Sequence, residues 1–330
     1  MSSTKSKDLI LSVCLSTYNQ PDSVDRFLKD FSEESLEGAE ILIKDDSPND
    51  DTKKIVEKHS SDFPAPIKYF KGEKAAKGGY DIALLFLTKE AQGRYVWWFG
   101  DDVIKHGVVK RIIDFVNNHP DISFLWLNSQ DIENENSISM RFGCDKFFKN
   151  HNEVFATNVG LLGFPTATIL KREKALMNID GADKFIGTTL TGYYLVLSVL
   201  TQDGKFCFLE DPAFFSNPKP SGEVRWYDSF QVHAVNYYVI AQEFKDKFDR
   251  RALRKGLADQ YGRIWRAVVV ERAMGLTTGF GSKSPKVLKM AKLYWSYPEF
   301  YIALLLFLTP RPILKIFYKL YRFLFRRGGK

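Results

Sequence analysis

A chain of 330 residues, 45% hydrophobic and 26% charged, is long enough for a large buried core, which excludes a wholly disordered or fibrous protein. Three widely spaced cysteines, Cys14, Cys144 and Cys207, exclude a disulfide scaffold and a cysteine-based structural zinc site, and fit a reducing compartment. The net charge of +7 is unevenly placed: residues 283–330 hold eleven Lys/Arg and one acid, leaving −3 for the first 282 residues. That distribution argues against a nucleic-acid-binding face and leaves the basic end in need of another partner.

Residues 1–8 are polar and the apolar run after them is short, so no signal peptide is expected. Leu9–Leu15 is nearly continuous in apolar residues and predicts a strand buried on both faces. A turn at Asn19–Asp22 leads to a helix carrying Val24, Phe27, Leu28 and Phe31. Ile41–Ile43 predicts a second buried strand, closed by the acidic turn Lys44–Asp50, then a helix over Asp51–His59 and a strand over Ile67–Phe70. Gly78-Gly79 precede an apolar helix over Asp81–Ala91, and Gly93 opens a strand over Arg94–Phe99. This alternation predicts parallel βαβ units in an α/β sheet, whose ligands bind at the carboxyl ends of the strands.

Further on, strands are expected over Phe124–Asn128, Phe164–Lys171 and Lys205–Glu210, a polar loop over Gln130–Ser139, and a helix over Thr191–Thr201. Pro212, Pro218 and Pro220 punctuate a loop reaching Gly222. After Trp226 the pattern is helical: Asp228–Phe248, Arg251–Met274, and again from Pro285. The expected division is an α/β domain over 1–222, with a donor half at about 8–125 and an acceptor half at about 126–222. A helical extension over 223–282 and basic amphipathic helices over 283–330 follow.

Two acidic pairs fall at strand ends. Asp101-Asp102 follow the very apolar Trp97-Trp98-Phe99-Gly100, and adjacent carboxylates there give a divalent cation hard oxygen ligands beside a diphosphate leaving group. Asp45-Asp46 end the second strand, where a carboxylate can accept hydrogen bonds from a nucleobase or ribose. One such pair is commonly a solvated turn; two in consecutive βα units favour a ligand site. Glycine-rich dinucleotide and Walker loops and a G-x-S-x-G elbow are missing, which weighs against a dehydrogenase, a kinase or an α/β-hydrolase.

Leu11–Asn19, Ile41–Ser47 and Gly93–Asp102 together resemble the three successive motifs of family 2 glycosyltransferases of GT-A fold. Gly78-Gly79-Tyr80-Asp81 before a Trp-rich strand ending Gly-Asp-Asp is similar to the abequosyltransferase-like branch of bacterial surface-polysaccharide enzymes. The resemblance implies a nucleotide diphosphate sugar donor, with Ser16 and Tyr18 lining the nucleobase pocket and Asp45 bonding the base. Asp46 and Asp81 are further candidate substrate contacts. Asp101 falls where the family binds Mg²⁺ or Mn²⁺, with Asp102 beside it as a catalytic carboxylate. The family's first metal-motif Asp is replaced by Phe99, and its usual Pro by Ser16. The stretch where inverting members hold their base, Phe185–Leu190, has no carboxylate, so Asp183 is the first candidate, with Asp180 and Asp211 as alternatives. Arg225-Trp226, after the Pro/Gly loop, are candidates to close over the diphosphate or a sugar.

Phe300–Leu308 is apolar over nine residues, about half of what a bilayer crossing needs, and Pro310 and Pro312 break it. Lys315, Lys319, Arg322 and Arg326 then line one stripe of a helix with Ile, Leu and Phe elsewhere. Residues 299–330 therefore predict an interfacial helix on an anionic membrane surface. With the resemblance, this places the enzyme on the cytoplasmic face of the plasma membrane, acting on a lipid-linked glycan. The other readings are a degenerate domain that binds nucleotide or glycolipid without turnover, and a membrane-anchored scaffold.

Overall fold

The computed structural model describes residues 9–72, 78–134, 137–216, 228, 230–275 and 287–326. The chain divides into two compact units, residues 1–154 with 161–218, and residues 155–160 with 219–330.

The first unit opens with the expected alternation: β1 (Leu11–Thr17), α1 (Pro21–Ser32), β2 (Ala39–Asp45), α2 (Asp51–Ser60), β3 (Ile67–Lys71), α3 (Gly79–Glu90) and β4 (Tyr95–Phe99). Pro21 at the start of α1 presets the helical φ, and Val24, Phe27, Leu28 and Phe31 form its buried face. β5 (Val103–Ile104), α4 (Val108–Asn118), β6 (Ile122–Asp131) and β7 (Lys146–Phe147) follow. Next come α5 (His151–Thr157) and α6 (Val159–Leu162), whose residues 155–160 belong to the second unit, then β8 (Thr168–Lys171), α7 (Arg172–Leu176), α8 (Thr191–Leu200) and β9 (Lys205–Ser216). The nine strands form one sheet in the order β3-β2-β1-β4-β8-β6-β9-β5, with β7 on another part of β9. β3, β2, β1 and β4 run parallel, and Thr17, Asp45 and Lys71 lie level across the first three. Their carboxyl ends therefore share one edge.

The sheet is mixed rather than wholly parallel. β8 runs antiparallel to both β4 and β6, because the chain re-enters the sheet at the edge it left, without a crossover. It begins at Thr168 instead of Phe164, since Pro165 opens a short 3₁₀ turn over Pro165–Ala167. β6 continues to Asp131, into the stretch expected to be a loop, because β9 also continues, to Ser216. Leu127 faces Leu209 and Ser129 faces Phe214, so residues 210–213, with Pro212, bulge out of the ladder. The three cysteines are unpaired.

The second unit holds a π-helical turn (Gln231–Asn236), α9 (Tyr237–Gln242), α10 (Arg250–Met274), α11 (Val287–Tyr294), α12 (Pro298–Leu308) and α13 (Arg311–Arg326). Residues 219–330, with 155–160, form one compact unit, so the stretches expected as a helical extension and a basic end belong together. The reason is burial. α12 and α13 pack on α10, with Phe300, Ala303, Leu314 and Trp265 buried and the Trp265 and Phe307 rings 6.2 Å apart. Among the described residues no single helix is long and apolar enough to cross a membrane; α12 and the first part of α13 form a pair bent by 111°.

Candidate functional site

The carboxyl edge of β1, β2 and β4 collects the residues the sequence singles out. β1 ends in Ser16, partly buried, and Thr17; Tyr18 beyond it is half exposed. Asn19 takes a left-handed backbone, φ 53°, and its N–H donates to Ser47 Oγ at 2.7 Å, while Asp46 N–H donates to Thr17 O at 3.1 Å. The β1 and β2 turns are thus stitched together.

Asp45 is fully buried. Its Oδ1 accepts from Ser47 N at 2.9 Å, and its Oδ2 from Tyr69 Oη at 2.7 Å and Lys71 Nζ at 3.4 Å. Burial raises its pKa, but these hydrogen bonds and the Lys71 charge outweigh it and hold the carboxyl below its ordinary value. Through these contacts Asp45 organises the turn from beneath. Asp46 pairs with Lys44 Nζ at 2.8 Å, both side chains mostly buried. Gly72 makes room for that pair, since a methyl there would fall 1.7 Å from Asp46 Oδ1.

β4 delivers the other acids. Phe99 is buried against Phe27 and Phe31 of α1, ring centroids 5.6 and 5.1 Å away, so the residue replacing the family's first Asp belongs to the core. Gly100 N–H donates to Thr166 Oγ1 at 3.0 Å, and Trp97 Nε1 to Thr166 O at 2.8 Å. Asp101 O accepts from Arg26 Nη2 at 2.9 Å. Asp102 is buried and Asp101 partly exposed. Asp45, Asp46 and Asp81 each have protein partners for their carboxylates, whereas that of Asp101 has none among the described residues. No group of three His, Cys, Asp or Glu side chains converges as a metal cage among the described residues. An unengaged strand-end carboxylate still fits a Mg²⁺-type ion, which takes one or two carboxylates and draws its other ligands from substrate phosphates and water.

Asp81, a candidate substrate contact by sequence, sits among protein donors as an anchor. It is fully buried, and accepts from the backbone N–H of Gly187, Thr189 and Thr191 and from the Thr191 hydroxyl, at 2.8, 2.9, 3.2 and 3.0 Å. Burial raises its pKa against the pull of those bonds. Asp183 is exposed on the 3₁₀ turn Ile179–Phe185, just before this loop, and its carboxylate has no partner among the described residues. The alternatives are engaged: Asp180 with Lys89 at 3.3 Å, Asp211 with Arg111 at 3.6 Å. Arg225 and Trp226 lie outside the described residues. Sequence reasoning missed Arg26, Thr166, Tyr69 and Lys71. Only Lys71, level with Asp45, carried a signal, the basic residue ending a strand beside an acidic one.

A doubly wound edge of parallel strands, two of them ending in paired acids, defines an α/β nucleotide-sugar type of fold, GT-A-like, with a helical C-terminal region. The family model described as Glycosyl transferase family 2 matches residues 12–176, half of the chain, and the chain belongs to that family. Among solved structures, S. aureus TarS 1–349 in complex with UDP-GlcNAc is similar with TM-score 0.65 at 17% identity, over 88% of this chain and 82% of that one. The complex of the same protein with UDP aligns with TM-score 0.63 at 17% identity, over 93% and 86%. A mannosyltransferase, PcManGT from Pyrobaculum calidifontis, in complex with GDP-Man and Mn²⁺, aligns with TM-score 0.53 at 14% identity, over 92% and 86%. At these identities the likeness is one of fold. By sequence, no curated protein matches.

Proposed function

We propose that this family 2 glycosyltransferase moves a sugar from a nucleoside diphosphate sugar onto a lipid-linked glycan at the cytoplasmic face of the plasma membrane, in the manner of the abequosyltransferase-like branch. The observation that carries the donor half is Asp101, the carboxylate beyond β4 left without a protein partner among the described residues, while Asp45 and Asp46 at the end of β2 are engaged. Tyr18, half exposed beside Ser16, stacks on the base, and the Asp46–Lys44 pair borders the ribose. Asp101, with Asp102 beside it, would hold Mg²⁺ or Mn²⁺, and a bound ion would supply positive charge against the leaving diphosphate. Arg26 fixes the Asp101 backbone and adds positive charge to the same turn. Asp183, exposed and without a carboxylate partner among the described residues, takes the proton from the acceptor hydroxyl as it attacks the anomeric carbon. The membrane half rests on the cations and exposed apolar residues of α12 and α13.

A thermal-shift screen of UDP, GDP, CDP and dTDP with and without Mn²⁺, followed by release of nucleoside diphosphate from the matching donor sugar, tests this. A ligand at 100 times its dissociation constant stabilises the native state by about 2.7 kcal/mol. Asp101→Asn is expected to fold normally and lose on the order of 10²-fold or more in rate. Full activity in EDTA, or wild-type rates in Asp101→Asn, overturns the assignment. Phe99 in place of an acid favours one rival, a binding domain without turnover. Nucleotide stabilisation with no turnover of any donor is its signature.

A further inference from the structure

The turn that carries Asp101 is held from two sides. The ladder between β4 and β8 ends with Trp97 against Ile169, because the chain entering β8 has turned away over Pro165–Ala167. Gly100, just past the end of β4, has no rung of the sheet for its N–H. The Thr166 hydroxyl takes it instead, at 3.0 Å. From the other side Arg26 of α1 donates to the Asp101 carbonyl at 2.9 Å. Between these two contacts stands the Asp101 carboxylate, without a protein partner among the described residues.

Thr166 is fully buried and divides its polar atoms between two tasks. Its carbonyl accepts from Trp97 Nε1 at 2.8 Å, a bond to the core of β4 that any residue could make. Its hydroxyl serves the turn beyond the strand. The 3₁₀ turn itself does not need that hydroxyl, since Ala167 N–H donates to Phe164 O at 3.1 Å and Thr168 Oγ1 to Pro165 O at 3.0 Å. Gly100 fits closely around the contact. A methyl there would lie 3.2 Å from Thr166 Oγ1 and 3.5 Å from Asp102 Oδ2, so the hydroxyl and the second acid of the turn flank one backbone position.

We propose that Thr166 is a positioning residue for the metal turn: by holding the Gly100 N–H it fixes the direction in which Asp101 presents its carboxylate to a divalent cation. The proposal rests on the reading of Asp101 as a ligand of Mg²⁺ or Mn²⁺. Mg²⁺ demands near-octahedral ligand geometry, so a carboxylate on a loose turn serves it poorly. Arg26 alone does not supply the restraint. It fixes the peptide that follows Asp101, whereas Thr166 fixes the one that precedes Gly100. With only one of them held, the backbone dihedrals of the two residues between are free to turn.

The test measures Mn²⁺ binding directly, by loss of the free-ion electron paramagnetic resonance signal, on the full chain with whichever of UDP, GDP, CDP and dTDP stabilises it. Thr166→Val keeps the shape of the side chain and the carbonyl bond to Trp97, and deletes the hydroxyl. It is expected to weaken Mn²⁺ about tenfold or more, the usual effect of losing a group that orients a metal ligand. The dissociation constant of the nucleotide alone, measured in EDTA, is expected to stay unchanged. Thr166→Ser, which keeps the hydroxyl, is expected to bind Mn²⁺ like the wild type. If Thr166→Val fails to fold, Gly100→Ala carries the test: its methyl crowds the hydroxyl, and the same selective loss of Mn²⁺ is expected. Wild-type Mn²⁺ affinity in the folded variant overturns the proposal, as does an equal loss in Thr166→Ser. A matching loss of nucleotide binding in EDTA also overturns it, and makes Thr166 a support of the whole pocket. A wild type that binds nucleotide but no Mn²⁺ brings down the assignment of Asp101 and this proposal with it, while the nucleotide site stands. Stabilisation by none of the four nucleotides overturns the donor reading and the proposal together.

Discussion

Asp81 and Thr191, 110 residues apart, are joined twice: Asp81 Oδ1 accepts the Thr191 backbone N–H at 3.2 Å and its hydroxyl at 3.0 Å. With Oδ2 on Gly187 and Thr189, one carboxylate fastens the first turn of α3 to the first turn of α8. It also holds Thr189 at φ 63°, a left-handed conformation that a β-branched residue adopts only under external restraint. Gly78 completes the clamp. Its own φ is 89°, and a methyl there would lie 2.7 Å from Ile186 Cγ2 and 2.9 Å from Gly187 N. The Gly78-Gly79-Tyr80-Asp81 run is therefore a mechanical joint at the carboxyl edge of the sheet.

Asp81→Ala should accordingly destabilise the protein by about 2–4 kcal/mol, because it strands donors at 1–3 kcal/mol each and frees a strained loop. Asp81→Asn, which keeps one acceptor oxygen, should cost less. Urea unfolding reads both, and equal stability of wild type and Asp81→Ala would show that the loop is held by something else.

Gly72→Ala should act at a distance of one turn from the donor pocket. A methyl 1.7 Å from Asp46 Oδ1 and 2.6 Å from Lys44 Nζ cannot coexist with their ion pair. The backbone itself is not obstructed, so the fold is expected to persist with a modest fall in melting temperature. The nucleotide-induced shift should shrink, since Asp46 is displaced. An undiminished shift would remove Asp46 and Lys44 from the binding site.

Acid should unfold the protein through specific carboxylates. Glu40 is fully buried and accepts from Ser12 Oγ and Gln92 N at 2.7 Å each, with Lys68 at 2.8 Å. Burial raises its pKa, and those partners more than reverse the effect; Asp45 behaves alike. Asp25, bonded to His59 and Lys29, is held at about 2. These carboxyls bind protons more weakly folded than unfolded, where they titrate at about 3.9–4.3. Their stabilisation is thus complete above about pH 5 and lost as pH falls through the depressed folded values. Denaturation midpoints should be level from pH 7 to about 5 and drop below about 4. Tyr69→Phe, which removes a donor to Asp45, should move the acid limb upward. Stability unchanged down to pH 3 would contradict the account.

The parallel half of the sheet was legible because its strands are buried on both faces and read as unbroken apolar runs, with Leu11, Val13 and Ile41–Ile43 fully buried. The positions of Asp101 and Tyr18 just beyond strand ends were legible because they depend only on local pattern. The role of Asp81 was not, since nothing at residues 78–81 announces that its partners lie at 187–191. The same holds for Asp45, whose burial depends on Tyr69 and Lys71 from the neighbouring strand. Pro212 misled the strand boundary because a bulge tolerates a proline that a regular ladder excludes. The helical unit was hardest to partition: the apolar face of residues 299–326 looks the same whether it meets lipid or α10, and it does partly the second.

That division of faces sets the last prediction. Deleting residues 299–330 strips Phe300, Ala303 and Leu314 from α10, so the truncated chain should lose the fold of its helical unit and cannot report on membrane binding. Charge reversal on the outer face can. Lys315 and Lys319 are exposed, one helical turn apart, while Leu314 points inward and is 2% exposed. The double variant Lys315→Glu, Lys319→Glu should therefore keep the wild-type melting temperature. Each cation near an anionic surface contributes about 1 kcal/mol, so reversing two removes at least about 2 kcal/mol and adds repulsion. Sedimentation with phosphatidylglycerol vesicles should weaken about thirtyfold or more. Raising salt from about 0.1 to 1 M shortens the Debye length from about 10 to 3 Å and should weaken the wild type in the same direction. The apolar residues Ile302, Leu305, Ile316 and Phe317 would still offer a hydrophobic contribution, so neutral vesicles should distinguish the variant from the wild type little. If anionic vesicles also fail to distinguish them, the exposed face of α12 and α13 does not meet the membrane through its charges.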